Sequence, residues 1–420
     1  MNTKPLHRAL SITVLLSALV ALGHAVDSAE AVTFTVTSSA DSYGSCPSKP
    51  LELPLRPACT LRSAIMQVNA QPAGTGPHRI NFSIGYGNVS IDVNSTGLGA
   101  LPKITQPVFI DGQSQQRVVK CGPGFPGFPC PNFVACVVPC IVINGVGVPA
   151  SSNGLELSFG SSGSTIRNLV INNFYLGTGI RVLTSGNFIQ GNYIGTDATG
   201  NFRQTSKMDN GVLIIGGAGY NTVGGNGVRN VISGNKNGVV IDATGVTDPY
   251  VLMASRTFNQ VLGNYIGTNA AASVPLGNDF FGVYIKDASA NTVGGGNVIG
   301  GNDVGVKVAT TGAIPMRGNQ VKDNFIGAAA NGTTDLHNGH DGVNILGVVD
   351  STNVQGNVVK FNLVRGIKVG NGSASNYIQN NTSLANGLRD MEYENTTCVN
   401  TWYMNVFETQ YDASQSDCIY

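Results

Sequence analysis

The feature that most constrains this 420-residue chain is a four-residue unit, Gly-aliphatic-x-aliphatic, that recurs eight times. The first and third positions after each glycine are always aliphatic, whereas the second varies widely. This period-two alternation is typical of a strand with one buried and one exposed face. Because a single short strand cannot bury its apolar face, we expect successive copies to stack into one continuous core. The copies begin at Gly154, Gly179, Gly211, Gly238, Gly282, Gly305, Gly342 and Gly366.

The spacing of the units predicts a coil of three short strands. Gly282 is 23 residues before Gly305, and Gly342 is 24 residues before Gly366. A second unit, in which asparagines flank short apolar segments, recurs between the glycines, for example at Asn187 and Asn192. Asparagine tolerates left-handed backbone geometry, and its amide can bond the equivalent amide of the next coil. We therefore predict asparagine ladders at the corners of a solenoid, and the absence of a 3.6-residue period excludes a helical one.

Three long loops follow an Ile-Gly step in every second coil, at residues 195–210, 267–281 and 327–341. All three should leave the same corner and line up along one edge of the rod. A further insertion, from Gly245 to Arg256, should leave a different corner. Loops on a rigid scaffold often carry binding residues. The alternative is that they are solvated surface segments, and the sequence leaves both interpretations open.

Composition excludes some partners. Lys plus Arg and Asp plus Glu both number 24, and only 11% of residues are charged. A nucleic-acid partner is therefore not expected, because it needs a surplus of cations. Residues 1–31 resemble a signal peptide, with Lys4 and Arg8 before an apolar run and cleavage after Ala25 or Ala31. We predict a secreted, extracellular or cell-surface protein, with the periplasm as the alternative, and no membrane span after cleavage.

Eight cysteines agree with export, because disulfides persist in oxidising compartments. We expect Cys46 to pair with Cys59 and Cys398 with Cys418, and the middle four to pair among themselves in an order that the sequence does not define. A zinc site made by those four is the alternative, although they lack a C-x-x-C pair. The middle four are Cys121, Cys130, Cys136 and Cys140.

A short helix is predicted after Cys59, since Leu61, Ile65 and Val68 have helical spacing. It would cap the open end of the stacked strands. The segment Cys59-Thr-Leu-Arg-Ser-Ala64 resembles the motif of the CSLREA domain, found at the start of secreted bacterial β-helix proteins, with Thr60 for Ser and Ser63 for Glu. The repeat around residues 192–197 is similar to those of the pectate-lyase-like superfamily. Together these resemblances imply an all-β, right-handed parallel β-helix with an N-terminal helical cap.

At the other end, Trp402 and Phe407 are expected to cover the last coil, closed by the Cys398–Cys418 disulfide. The predicted domain organisation is therefore a signal peptide (1–31), an N-terminal cap with first strands and a Cys-rich insertion (32–140), β-helix repeats (141–390) and a C-terminal cap (391–420).

Catalytic candidates come from the same resemblance, because hydrolases of the superfamily carry Gly-His-Gly and Arg-x-Lys steps. The partial matches are His340, Asp341, Arg365 and Lys368. The repeat places Asp341 and Arg365 in the slot before the coil glycine, which indicates a structural role. A glycosidase also needs a second carboxylate at a defined separation, and none stands out. The sequence leaves open whether the protein is an enzyme.

Binding candidates occupy the outward position of related coils: Arg181, Tyr284, Lys307 and Lys368. Tyr284 could stack on a sugar ring, and ordinary surface residues are the alternative. We predict a carbohydrate-binding or surface-structural, adhesin-like monomer with no cofactor and no metal. Its expected partner is an extracellular polysaccharide or a host or cell-surface glycan that is neutral or weakly charged. The alternative is a polysaccharide lyase or glycoside hydrolase, for which alone calcium would be expected. A passenger of a larger secretion system is a third hypothesis.

Overall fold

The computed structural model describes residues 30–47, 58–85, 87–115, 139–246, 257–312, 315–414 and 418–419. Residues 1–29 of the expected signal peptide, three of the middle cysteines (Cys121, Cys130 and Cys136) and most of the insertion after Gly245 lie outside this part of the chain. One α-helix, α1 (Leu61–Asn69), and a single 3-10 turn (Gly112–Ser114) accompany the strands there.

Short strands make up nearly all of the regular structure, as the repeat predicts. The first nine are β1 (Thr33–Val36), β2 (His78–Phe82), β3 (Val89–Asp92), β4 (Val108–Asp111), β5 (Ile141–Asn144), β6 (Leu155–Leu157), β7 (Thr165–Arg167), β8 (Leu169–Asn172) and β9 (Thr178–Val182). The next twelve are β10 (Phe188–Gln190), β11 (Tyr193–Ile194), β12 (Asn210–Ile215), β13 (Thr222–Gly224), β14 (Val231–Ile232), β15 (Asn237–Asp242), β16 (Gln260–Leu262), β17 (Tyr265–Ile266), β18 (Phe281–Lys286), β19 (Thr292–Gly294), β20 (Val298–Ile299) and β21 (Val304–Ala309). The last thirteen are β22 (Met316–Arg317), β23 (Gln320–Lys322), β24 (Phe325–Ile326), β25 (Asp341–Leu346), β26 (Val349–Asp350), β27 (Asn353–Gln355), β28 (Val358–Lys360), β29 (Arg365–Val369), β30 (Tyr377–Gln379), β31 (Thr382–Leu384), β32 (Arg389–Tyr393), β33 (Thr401–Tyr403) and β34 (Gln410–Asp412).

These strands form three long parallel sheets, one for each side of the coil. Sheet A has 12 strands in the order β1-β2-β4-β7-β10-β13-β16-β19-β23-β27-β30-β33. Sheet B has 10 strands, β3-β5-β8-β11-β14-β17-β20-β24-β28-β31, and sheet C has 10, β6-β9-β12-β15-β18-β21-β25-β29-β32-β34. A two-stranded sheet joins β22 and β26. The protein is a right-handed parallel β-helix, which confirms the predicted fold class.

The core runs along the axis because each strand turns alternate residues inward. The aliphatic positions after each coil glycine are buried, as Val283 and Ile285 show. Asparagines line the corners in ladders: Asn302 Nδ2 donates to Asn338 Oδ1 at 3.1 Å, and Asn278 Nδ2 donates to Asn302 Oδ1 at 2.8 Å. The predicted structural role of the asparagines is confirmed.

Both ends of the rod are covered. At the N-terminus α1 begins after Thr60 and buries Leu61, Ile65 and Val68. At the C-terminus Trp402 is fully buried and Phe407 packs against the core. The structure contains the Cys46–Cys59 and Cys398–Cys418 disulfides.

Strands of the three sheets occur before residue 141 and after residue 390, so the coils extend into both terminal segments. Cys140 is disulfide-bonded as well. The pairing order of the four middle cysteines stays a prediction.

Candidate functional site

The outer face of sheet C contains one continuous row of side chains. It is formed by the second residue after each coil glycine and, at the C-terminal end, by Glu392 and Tyr411, which are in register with it. Parallel pairing without a slip in register stacks these residues along the rod, about 4.8 Å apart. From the N-terminal end the row is Glu156, Arg181, Leu213, Val240, Tyr284, Lys307, Asn344, Lys368, Glu392 and Tyr411. All four sequence-predicted binding residues are therefore in this row.

An aromatic–cation group occupies the middle of the row. The rings of Phe281 and Tyr284 have centroids 4.7 Å apart. Lys307 Nζ, from the next coil, lies 4.9 Å from the Phe281 centroid and 5.5 Å from that of Tyr284. Both distances are in the range of cation–π attraction. Within the described residues no carboxylate lies within ion-pair distance of Lys307, and the closest contacts of its charged group are the faces of these two rings.

Tyr284 is a neutral hydrogen-bonding group at ordinary pH. Burial raises the pKa of its phenol, and the negative charges of Asp287 and Asp242 raise it further. The hydroxyl therefore keeps its proton and can donate or accept a hydrogen bond.

An ion-pair network continues the row toward the C-terminus. Arg365 Nε contacts Asp341 Oδ1 at 2.7 Å, and Arg365 Nη1 contacts Glu392 Oε1 at 2.8 Å. Lys368 Nζ contacts Glu394 Oε1 at 2.7 Å and Glu392 Oε1 at 3.8 Å. Every carboxylate of this network therefore has a cationic partner.

The network fixes the protonation of its central cation. Burial lowers the pKa of Arg365, but the hydrogen bonds and charges of Asp341 and Glu392 outweigh it, and the pKa is raised above its ordinary value. Arg365 therefore stays protonated and paired with Asp341 and Glu392.

The four catalytic candidates are only partly brought together. Asp341, Arg365 and Lys368 belong to the network; Asp341 and Arg365 occupy the slot before the coil glycine, and Lys368 occupies the outward position two residues after it. His340 faces elsewhere: its Nδ1 lies 2.6 Å from Asp303 Oδ1 at the corner between sheets B and C. Arg181 is separated from Tyr284 by Leu213 and Val240 in the row, and pairs with Glu156 at 3.2 Å.

Sequence reasoning missed Phe281, Glu392 and Glu394. Phe281 occupies the slot before a coil glycine, where Asn210 and Asn237 stand in other coils, so the exchange of a corner residue for an aromatic one was a usable signal. Glu392 and Glu394 lie where the glycine unit is no longer recognisable, and only the register of β32 with β29 places Glu392 beside Lys368.

The three long loops do line up along one edge, as expected. Each opens with a matching antiparallel bridge: Thr196 with Arg203, Thr268 with Pro275, and Ala328 with Asp335. They cover the outer face of sheet B, where Val298 is 1% exposed and packs with Leu336 of the third loop. The loops therefore have a structural role, since they bury apolar side chains that would otherwise face water.

Where the three long loops meet sheet C, there is a cleft of about 330 Å³. Its lining includes Arg203, Asp279, Asp303 and His337. In the part of the chain that the structure describes, no group of three or more His, Cys, Asp or Glu side chains is arranged to hold a metal ion. No helix in the same residues is long and apolar enough to cross a membrane.

No family model matches the sequence, and no curated protein does. Among solved structures, the chain is similar to the Dettilon tailspike protein (gp208), at 14% identity and a TM-score of 0.46 over 77% of this chain and 50% of the tailspike. It is similar to the A-module of the Azotobacter vinelandii mannuronan C-5 epimerase AlgE6, at 13% identity and 0.42 over 79% and 74%. The third is the PL6 family alginate lyase AlyGC, at 13% and 0.32 over 82% and 50%.

The chain thus spans half the length of the tailspike and of the lyase. The three similar structures are right-handed parallel β-helix proteins.

Proposed function

We propose that the protein is an extracellular binder of acidic polysaccharides, which it holds along the outer face of sheet C without cleaving them. The observation that carries this proposal is the position of Lys307, a cation without a carboxylate partner among the described residues, above the rings of Phe281 and Tyr284. A carboxylate-bearing sugar matches both the cation and the aromatic rings of this group. Its charge would pair with the ammonium, and its apolar ring face would pack beside the aromatic rings.

The shape of the site supports an extended ligand. The row follows the rod axis over successive coils, so an extended polymer laid along it would meet Tyr284, Lys307, Asn344 and Lys368 in turn. A row that continues along the rod axis favours an internal segment of a chain over a chain end.

Binding without cleavage is proposed because the nearby carboxylates are already engaged. A general base must be able to accept a proton from the substrate. Asp341 and Glu392 instead face Arg365 at 2.7 and 2.8 Å, and Glu394 faces Lys368 at 2.7 Å. Export is part of the proposal, because the disulfides fit an oxidising compartment.

The test is affinity electrophoresis through gels that contain polygalacturonate, alginate or uncharged dextran, at low and at high ionic strength. The protein should be retarded by the two uronate polymers, and the retardation should weaken as salt screens the charges. Lys307→Gln should reduce the affinity for polygalacturonate about tenfold, the effect of losing one charge-assisted contact.

Lys360→Gln is the matched control, since it removes the same charge from sheet B and should leave retardation unchanged. The proposal is wrong if neither uronate polymer is bound, or if Lys307→Gln and Lys360→Gln behave alike. Release of unsaturated or reducing products from either polymer would overturn the non-catalytic part.

A further inference from the structure

A second unusual feature lies at the corner that precedes sheet A. The residue at this corner has a positive φ in eight coils, because the chain turns there through the left-handed region. The eight residues are Gly163, Gly186, Tyr220, Phe258, Ala290, Gly318, Ser351 and Ser375. Six of them are Gly, Ala or Ser, which are small enough to suit a tight turn, and two are aromatic.

The aromatic pair is costly for the fold. Tyr220 has φ of 56° and Phe258 has φ of 47°. A bulky residue in this region is strained, since its Cβ crowds the backbone, and glycine would avoid the strain. Core packing does not compensate, because Tyr220 is 65% exposed and Phe258 is 40% exposed. Strain that is retained without burial points to a function.

The two rings form one aromatic surface. They stack with centroids 5.2 Å apart and planes inclined by 20°. The flanking positions of the same corner are Gly186 and Ala290, which place no side chain or a single methyl group beside the pair.

The adjoining outer row of sheet A carries no charge over nine consecutive strands. It presents hydroxyl, amide and aromatic groups at the strand spacing of about 4.8 Å. The row is Thr165, Phe188, Thr222, Gln260, Thr292, Gln320, Asn353, Tyr377 and Thr401. Phe188 and Tyr377 are themselves 43% and 49% exposed.

We infer that the Tyr220–Phe258 pair and this uncharged row form a second saccharide-binding site, which takes an uncharged polysaccharide. The C–H groups of a pyranose ring pack against the electron-rich ring faces. The sugar hydroxyl groups exchange hydrogen bonds with Thr222, Gln260 and Thr292, which can both donate and accept. Because the residues of this row are uncharged, they offer an anionic polymer no ionic contact, so this site differs in specificity from the sheet C row and does not depend on it.

The experiment measures binding and thermal stability together. Titration calorimetry with soluble dextran, galactomannan and hydroxyethyl cellulose, and with polygalacturonate, gives the affinities of the whole protein. The double variant Tyr220→Gly/Phe258→Gly should lose at least tenfold in affinity for the uncharged polymer that binds, with no change toward polygalacturonate. Its Tm should equal or exceed that of the wild type, because the left-handed strain is relieved.

Ala290→Gly is the matched control: it relaxes the same corner without removing a ring, and should leave affinity unchanged. Phe258→Tyr keeps the aromatic pair and should retain binding. The inference is overturned if none of the three uncharged polymers binds, if the double variant binds them as the wild type does, or if its Tm falls, which would assign the rings a structural role.

Discussion

Asp341 and Arg365, on neighbouring strands of sheet C, form a two-point ion pair with Nε–Oδ1 of 2.7 Å and Nη2–Oδ2 of 3.2 Å. Asp341 is 2% exposed and Arg365 is 19% exposed. A superficial resemblance makes these residues catalytic candidates, but their geometry is that of a clamp between two coils. Arg365 also contacts Glu392 of the following coil, so one guanidinium connects three strands.

Removing the carboxylate of Asp341 from its ion pair with Arg365 should therefore destabilise the rod. Asp341→Asn leaves Arg365 mostly buried without its closest partner, and we expect a loss of about 3 kcal/mol in the free energy of unfolding. Arg365→Gln introduced into the same variant should recover part of this loss. Denaturant unfolding measures both. Asp335→Asn, on an exposed hairpin, is the control and should change stability by less than about 0.5 kcal/mol. Equal effects of the two aspartate variants would contradict the clamp.

The asparagine ladder makes an independent prediction. Asn302 accepts hydrogen bonds from the backbone and side chain of Asn278, at 3.2 and 2.8 Å, and donates to Asn338 and to the carbonyl of Ile266. Asn302→Ala leaves these buried groups without a hydrogen-bond partner, and should lower the free energy of unfolding by about 3 kcal/mol. Asn331→Ala removes hydrogen bonds within an exposed hairpin and should cost less than about 1 kcal/mol. A similar cost for both would show that the ladder is not essential.

Most of the architecture could be predicted because it repeats. Glycine spacing defined the coil, period-two alternation defined which side chains face the core, and both are local properties of the chain. The row from Tyr284 to Lys368 followed from counting two residues after each glycine. The ladder could be predicted for the same reason, since asparagines such as Asn187 and Asn221 recur at one position of the coil.

The site chemistry was harder to predict because it depends on contacts between coils. Lys307 meets Phe281 only because β21 and β18 pair in register, and Arg365 meets Glu392 across 27 residues of sequence. The Tyr220–Phe258 pair was overlooked although each residue directly precedes a ladder asparagine, a position that marks it as a corner. Left-handed geometry at that corner, which makes aromatic residues unusual there, is a property of the backbone and not of the sequence pattern.

Acid should destabilise the protein through Asp287. Burial raises the pKa of this carboxyl, but hydrogen bonds from Thr311, Thr310 and Thr244 outweigh it, and the folded pKa is lowered. A depressed folded pKa contributes stability that is fully present above the ordinary value of about 3.9, and that is lost as pH falls through the folded value. The free energy of unfolding should therefore decline below about pH 4.

Two variants isolate this contribution. Asp287→Asn keeps a residue that tolerates the left-handed φ of 51°, and should reduce the loss of unfolding free energy below about pH 4. Thr311→Val removes one hydroxyl donor, so the folded pKa of Asp287 should move back toward its ordinary value and the loss of stability in acid should be smaller. If Asp287→Asn loses stability in acid as steeply as the wild type does, Asp287 is not the cause.

The C-terminal disulfide should stabilise the end of the rod rather than its middle. Cys398 and Cys418 close a segment of 20 residues, and a cross-link of this size contributes about 3 kcal/mol. Trp402, the one tryptophan of the chain, is fully buried beside Tyr393 in the last strand of sheet A, and its fluorescence reports on the C-terminal end of the rod. In Cys398→Ser/Cys418→Ser the fluorescence of Trp402 should shift at a lower denaturant concentration than the β-sheet circular dichroism, because coils interact mainly with their neighbours.

Cys46→Ser/Cys59→Ser, at the opposite end of the rod, is the control and should leave the denaturant midpoint of the Trp402 transition unchanged. Coincident transitions in the first variant would mean that the cap and the coils unfold as one unit.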